Sequence, residues 1–245
     1  MVVRTSTVLR VTAFLTLAGA LAAYYSSYQD WWDASTWWDV GFLALCLIPA
    51  VFALVYLVLP WWNARGLFAV GLAFVVLAVV LQLADLDTAA NFAKLAAATA
   101  LAFWFLSYFE SASWVVIVAL IIPWVDAYSV WRGPTRHIVS KQKELFTTLS
   151  FAFPIPGEHG SANLGLPDLV FFGVFLAAAA RFGLRRRLTW AAMTLSFGAT
   201  MALAVAFDLT GLPALPLLSL AFLAPNADLL WRRLREGRLS RPAGP

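Results

Sequence analysis

The stretch GLFAVGLAFVVLAVVLQL, Gly66 to Leu83, runs for eighteen residues without a charge. A helix of roughly 20 such residues crosses the ~30 Å hydrocarbon core of a bilayer. Comparable blocks lie on both sides of it: Val8–Ser26, Val40–Pro60, Phe92–Phe109, Trp114–Trp131, Leu169–Gly183, Leu188–Phe207 and Leu212–Leu230. They predict about eight spans. Seven or nine stay open, because Phe92–Phe109 and Leu169–Gly183 are short. The whole chain agrees: of 245 residues 62% are hydrophobic and 12% charged, where soluble proteins carry about a quarter charged residues. Periodicity does not separate faces in all-apolar runs, so helix is argued from length and from the backbone's need for internal hydrogen bonds in lipid. The expected fold class is therefore all-α, a polytopic transmembrane helical bundle.

Several function classes drop out. Cys46 stands alone inside the second block, which leaves no disulfide framework and no cysteine metal site. His137 and His159 lie in the one long loop, too isolated to suggest a metal centre. No cofactor is expected. The net charge of +4 comes from scattered basic residues at span ends, the pattern of membrane anchoring, with no nucleic-acid footprint. Trp31, Trp32, Trp37, Trp38, Trp61 and Trp62 flank the first two spans as an interfacial belt would. The N-terminus, with Arg4, Arg10 and Ala20-Leu21-Ala22, has features of a secretory signal, but is read as a first span.

With the N-terminus in the cytoplasm and eight spans, the inside ends hold Arg4, Arg10, Arg65, Arg181, Arg185 to Arg187, Arg232, Arg233, Arg235, Arg238 and Arg241. Those are 12 of the 17 basic residues. Both termini are thus expected in the cytoplasm and the long loop, Arg132–Gly165, outside. Within that loop Pro134 suits the start of a helix carrying Ile138, Leu145 and Leu149. Ser150–Phe153 alternates ahead of Pro154 and Pro156, and reads equally as an extended segment or a plain linker.

Ionisable groups inside a span are costly and mark candidate sites. Asp85, Glu110 and Asp208 sit at span ends. Asp228 precedes Arg232 by four residues, a spacing that suits a helix-surface pair, and Lys94 is expected to snorkel. Asp126 and Asp168 remain. Asp126 lies five residues short of Trp131, roughly 8 Å inside that end at 1.5 Å per residue, and Asp168 opens the next span. The loop between them makes the two spans antiparallel, so both carboxylates approach the same membrane face. Alone, Asp168 after Pro167 also reads as a first-turn acid favoured by the helix dipole, and Asp126 as a structural partner of Arg132.

The surrounding residues resemble a known family. Asp126-Ala127-Tyr128-Ser129-Val130-Trp131-Arg132-Gly133-Pro134-Thr135-Arg136-His137-Ile138-Val139 looks like the first active-site segment of presenilins, including Gly-Pro-x-Arg. Asn163-Leu164-Gly165-Leu166-Pro167-Asp168-Leu169-Val170-Phe171-Phe172 looks like the second, the Gly-x-Gly-Asp segment. Gly211-Leu212-Pro213-Ala214-Leu215-Pro216 looks like the third, Pro-Ala-Leu. Order and approximate spacing agree from Trp114 to about Leu223. The chain thus resembles the presenilin and signal peptide peptidase family of intramembrane aspartyl proteases, in the form of a prokaryotic presenilin-like homologue of the cell membrane. Three departures stand out. Val125 replaces an aromatic residue before the first aspartate, four spans precede the Asp126 span instead of five, and Pro167 takes the place of the second glycine, where it fixes φ and removes a donor.

The resemblance implies that Asp126 and Asp168 are the catalytic pair. It also implies that Gly165, Leu166, Pro167, Pro213, Ala214 and Leu215 contact the substrate, a transmembrane peptide or protein. It divides the chain into N-terminal transmembrane helices (1–111), a presenilin-like catalytic region (112–231) and a basic cytoplasmic tail (232–245). Two carboxylates ~5 Å apart at an effective dielectric near 20 repel by roughly 3 kcal/mol, so such a pair holds one shared proton. Two other readings use the same residues. An inactive homologue would bind transmembrane helices as a scaffold or chaperone, with Pro167 as its support. A proton-coupled transporter would use the aspartates as a relay, with Pro213 and Pro216 breaking a helix.

Overall fold

The computed structural model describes residues 2–132, 149–209 and 212–235, with side chains described for 7–129, 149–209 and 212–233. Gly133 to Val139 of the first motif, the helix expected from Pro134, Gly211 and the tail beyond Arg235 lie outside the described residues. What is described is mostly helical.

Helix α1 (Val2–Ser27) is followed by α2 (Thr36–Phe42), which passes through a π-helical turn (Leu43–Leu47) into α3 (Ile48–Val58). The wide turn lies just ahead of Pro49, whose ring and missing N–H disrupt the regular hydrogen-bond ladder. Then come α4 (Leu67–Leu83), α5 (Asp87–Leu106) and α6 (Ala112–Arg132). Strands β1 (Ser150–Pro154) and β2 (Ser161–Gly165) pair antiparallel, with Ser150 opposite Gly165 and Pro154 opposite Ser161. The chain ends in α7 (Leu166–Arg181), α8 (Arg186–Ala206), α9 (Leu215–Leu223) and α10 (Ala227–Arg235). Asp85 and Asp208 take left-handed backbone (φ 56° and 51°) just past α4 and α8, a common way for a helix to stop.

Among the described residues, five helices are long and apolar enough to cross a membrane: Thr7–Asp30, Thr36–Trp61, Asp87–Leu106, Ala112–Ser129 and Arg186–Ala206. Leu67–Leu83 is a shorter apolar helix. Its exposed side chains Val70, Leu72, Val76, Val79, Val80 and Leu83 suit hydrocarbon and not water. The last apolar block departs from the single span expected of it. A 3₁₀ turn at Ala224–Asn226, containing Pro225, separates α9 from the short α10.

Helix α7 explains why one block looked too short. It packs against α5, α8 and α9 and touches α6. Phe172, Val174, Phe175, Leu176, Ala177, Ala178 and Ala179 are all fully buried. A helix enclosed by other helices has no lipid thickness to match. Its ring neighbours fix its place: Phe172 lies 4.1 Å from Phe52 of α3, and Phe175 stacks on Phe222 of α9 at 4.7 Å. Gly173 permits the close approach to α5, since a Cβ there would meet Ala102 Cβ at 2.6 Å.

Long-range hydrogen bonds define two ends of the bundle. The end of α1 and the start of α5 both meet the hairpin, while Arg181 at the end of α7 donates to the Leu106 carbonyl at the end of α5 (2.7 Å). At that second end Arg185 grips Asp228 with two hydrogen bonds (2.6 and 2.7 Å), which hold the Asp228 carboxyl below its usual range. This partner corrects the expected Arg232 pairing: the bend at Pro225 carries Asp228 toward the start of α8. Buried Asn226 completes the join. It accepts from the Arg185 amide and donates to Thr189 Oγ1 and the Phe222 carbonyl. The molecule therefore has a hairpin end and a basic end, with Trp31, Trp32, Trp37 and Trp38 near the first and Trp61 and Trp62 at the second.

Candidate active site

Asp126 lies two turns before the end of α6, past Pro123, at the hairpin end. Its Oδ2 accepts a 3.0 Å hydrogen bond from the backbone N–H of Leu215. Leu215 is the first residue of α9, where backbone donors have no partner inside the helix. Pro213, Ala214 and Leu215 are buried beside it. The Pro-Ala-Leu stretch thus presents an orphan amide to the first aspartate. The signal for this was available in the sequence, as a proline-flanked helix start, but a backbone donor has no residue letter of its own.

Asp168 sits in the first turn of α7, immediately after β2. Its carboxylate folds back over Gly165, within hydrogen-bonding reach of that residue's backbone. A Cβ added at Gly165 would lie only 3.2 Å from Asp168 Oδ2. Gly165 has φ −61° and ψ 144°, a conformation open to any residue. Its requirement is space, not backbone freedom. The Asp126 and Asp168 carboxylates lie within electrostatic reach of each other. Three segments far apart in sequence therefore converge at one end of the bundle: α6, the β2–α7 junction and the start of α9.

Pro167 occupies the first turn of α7. There its fixed φ matches the helix, and its missing N–H is one that would have had no intrahelical partner. Pro167 is therefore compatible with the local backbone, and its side chain is exposed. Leu166 is half-buried, and its N–H donates to the Leu149 carbonyl, extending the hairpin ladder into the helix.

The hairpin is itself held. In an antiparallel pair, alternate residues turn their N–H and C=O outward. On β1 these are Ser150, Ala152 and Pro154. Asn91 of α5 reads Ala152 like a strand neighbour: its Nδ2 donates to the Ala152 carbonyl (2.8 Å), and its Oδ1 accepts from the Ala152 amide (2.9 Å). Tyr25 donates to the same carbonyl (2.8 Å), Tyr24 to that of Pro154 (2.8 Å), and Lys94 to that of Ser150 (3.4 Å). Lys94 is buried and does not snorkel, which corrects that expectation. The hairpin brings the Ser150 carbonyl within reach of its ammonium. Phe151 and Phe153, fully buried, seat the hairpin in the core. None of the four anchoring helix residues Tyr24, Tyr25, Asn91 and Lys94 was singled out for this role from the sequence. Asn91 and Lys94, two polar residues three apart in an apolar helix, were the available sign.

The outer edge of β2 is different. Its outward-turned residues are Ser161, Asn163 and Gly165. Among the described residues, only side chains of Asn163 and Asp168 reach that edge. No family model matches the chain, and no curated protein matches it.

Proposed function

We propose that this protein is an integral membrane aspartyl protease that hydrolyses peptide bonds of transmembrane helices, with Asp126 and Asp168 as its catalytic pair. The observation that carries the reading is the convergence of the two carboxylates, one fastened to the Leu215 amide and the other folded over Gly165, at one end of an apolar bundle. The resemblance of the three motifs to presenilins points the same way.

The pair holds one proton between two acids. The ionised carboxylate takes a proton from a water molecule, and the resulting hydroxide oxygen bonds to the scissile carbonyl carbon. The protonated carboxyl hydrogen-bonds the carbonyl oxygen as charge develops there. A proton then passes to the leaving nitrogen as the carbon–nitrogen bond breaks, giving a new carboxyl and a new amine. A scissile bond inside a helix is hydrogen-bonded and inaccessible, so the substrate must be extended locally. Among the described residues no side chain caps the outward backbone groups of Asn163, five residues before Asp168, and these offer an extended segment partners on the β2 edge. In the cell the basic end faces the cytoplasm and the hairpin end lies outside.

The test is cleavage of a labelled single-span peptide by purified protein in lipid. Scission within the apolar segment, abolished by Asp126→Asn and by Asp168→Asn, is the expected result. Helix binding without scission would assign the scaffold role instead, and proton-coupled uptake into vesicles the transporter role.

A further inference from the structure

Two cavities open at the basic end, away from the aspartates. The first, about 460 Å³, contains Arg181. That guanidinium is already engaged, donating to the Leu106 carbonyl and lying 5.8 Å from the Trp62 ring and 5.2 Å from the Phe182 ring. The second, about 340 Å³, lies between α1, the end of α3 and the start of α8, and is lined by Arg10, Arg186, Thr7, Tyr56, Trp61 and Trp62, among others. Its two cations differ from Arg181. Among the described residues neither the Arg10 nor the Arg186 guanidinium makes a hydrogen bond or ion pair, and no acidic one lines the cavity. The Tyr56 hydroxyl, in the same wall, is also without a partner among them.

Two like charges brought by separate helices into one concavity repel unless an anion lies between them. The walls are aromatic, as at a membrane interface. The adjoining surface of α1 is apolar and uncovered, with Val11 and Leu15 exposed. We propose that this cavity binds the phosphate of an anionic phospholipid head group. The phosphate lies between Arg10 and Arg186 with the Tyr56 hydroxyl as a further donor, and an acyl chain runs along α1. A basic pocket between transmembrane helices at the head-group level has the charge and the position for this ligand. An inorganic phosphate would satisfy the same donors but gain nothing from the apolar surface of α1.

Native mass spectrometry of the full chain tests this, after exchange into micelles holding phosphatidylglycerol and phosphatidylcholine in equal amounts. The unmutated protein should retain phosphatidylglycerol preferentially, by roughly 25-fold if each of the two arginines adds about fivefold. The pair Arg10→Gln with Arg186→Gln should lose that preference. Arg65→Gln with Arg187→Gln, exposed arginines outside the cavity, should keep it. Equal retention of both lipids by the unmutated protein overturns the proposal, and this comparison stands whether or not the variants fold. Equal loss in the two double variants overturns it too, since it reduces the effect to general basic charge. Release of the lipid by inorganic phosphate in millimolar excess would assign the site to free phosphate and overturn the lipid source.

Discussion

Gly165 and Pro167 flank the turn that delivers Asp168, and each has its own physical task. A Cβ at Gly165 would crowd Asp168 Oδ2 at 3.2 Å, while the backbone angles there accept alanine. Gly165→Ala should therefore fold normally yet displace the carboxylate, lowering kcat roughly tenfold, because small misplacements of a reacting group are expensive. Full activity in this variant would mean that the carboxylate leaves Gly165 when substrate binds. Pro167→Gly should lower stability by about 0.4–1 kcal/mol through a freer unfolded chain, with cleavage changed only a few-fold. A tenfold or greater gain in rate would show instead that the proline restrains the site. The sequence singled out both aspartates and placed them at one end, and the structure brings them together there. It left Pro167 looking disruptive, because the cost of a proline depends on where the helix begins, and only the structure places α7 from Leu166.

At the scale of elements, the hairpin joins the N-terminal helices α1 and α5 to the segment that carries Asp168. Asn91 bonds both the N–H and the C=O of Ala152, so Asn91→Ala leaves a half-buried amide unpaired, at a cost of about 1 kcal/mol. Hydrogen exchange at the Ala152 amide should rise sharply in this variant, and exchange in the middle of α7 should stay slow. Unchanged exchange at Ala152 would show that Tyr24, Tyr25 and Lys94 suffice as anchors. The alternation at Ser150–Phe153 raised the strand, yet nothing local chose between strand and linker. The choice lies in partners about 60 and 130 residues away. The break in the last apolar block was carried by Pro225 and Asn226, but hydropathy alone blurs a short turn set within an apolar run.

Across the whole molecule, the basic residues and the Asp126 and Asp168 carboxylates occupy opposite ends. Arg10, Arg65, Arg181 and Arg185 to Arg187 gather at one end, and the carboxylates and hairpin at the other. A reporter fused after Pro245 should accordingly read as cytoplasmic, and a label placed within Glu158–Ser161 should react from outside the cell. The reverse pattern would invert the orientation and leave the site's geometry untouched. The most direct test of the central claim is proteolysis by purified protein in lipid vesicles, using a single-span peptide labelled at both ends and product masses read by mass spectrometry. The account predicts a cut inside the apolar segment, with the rate falling at least ~10²-fold in Asp126→Asn and in Asp168→Asn, the scale for losing a general acid or base. An unmutated protein that leaves every such peptide intact, or a cut that survives Asp168→Asn, would contradict it.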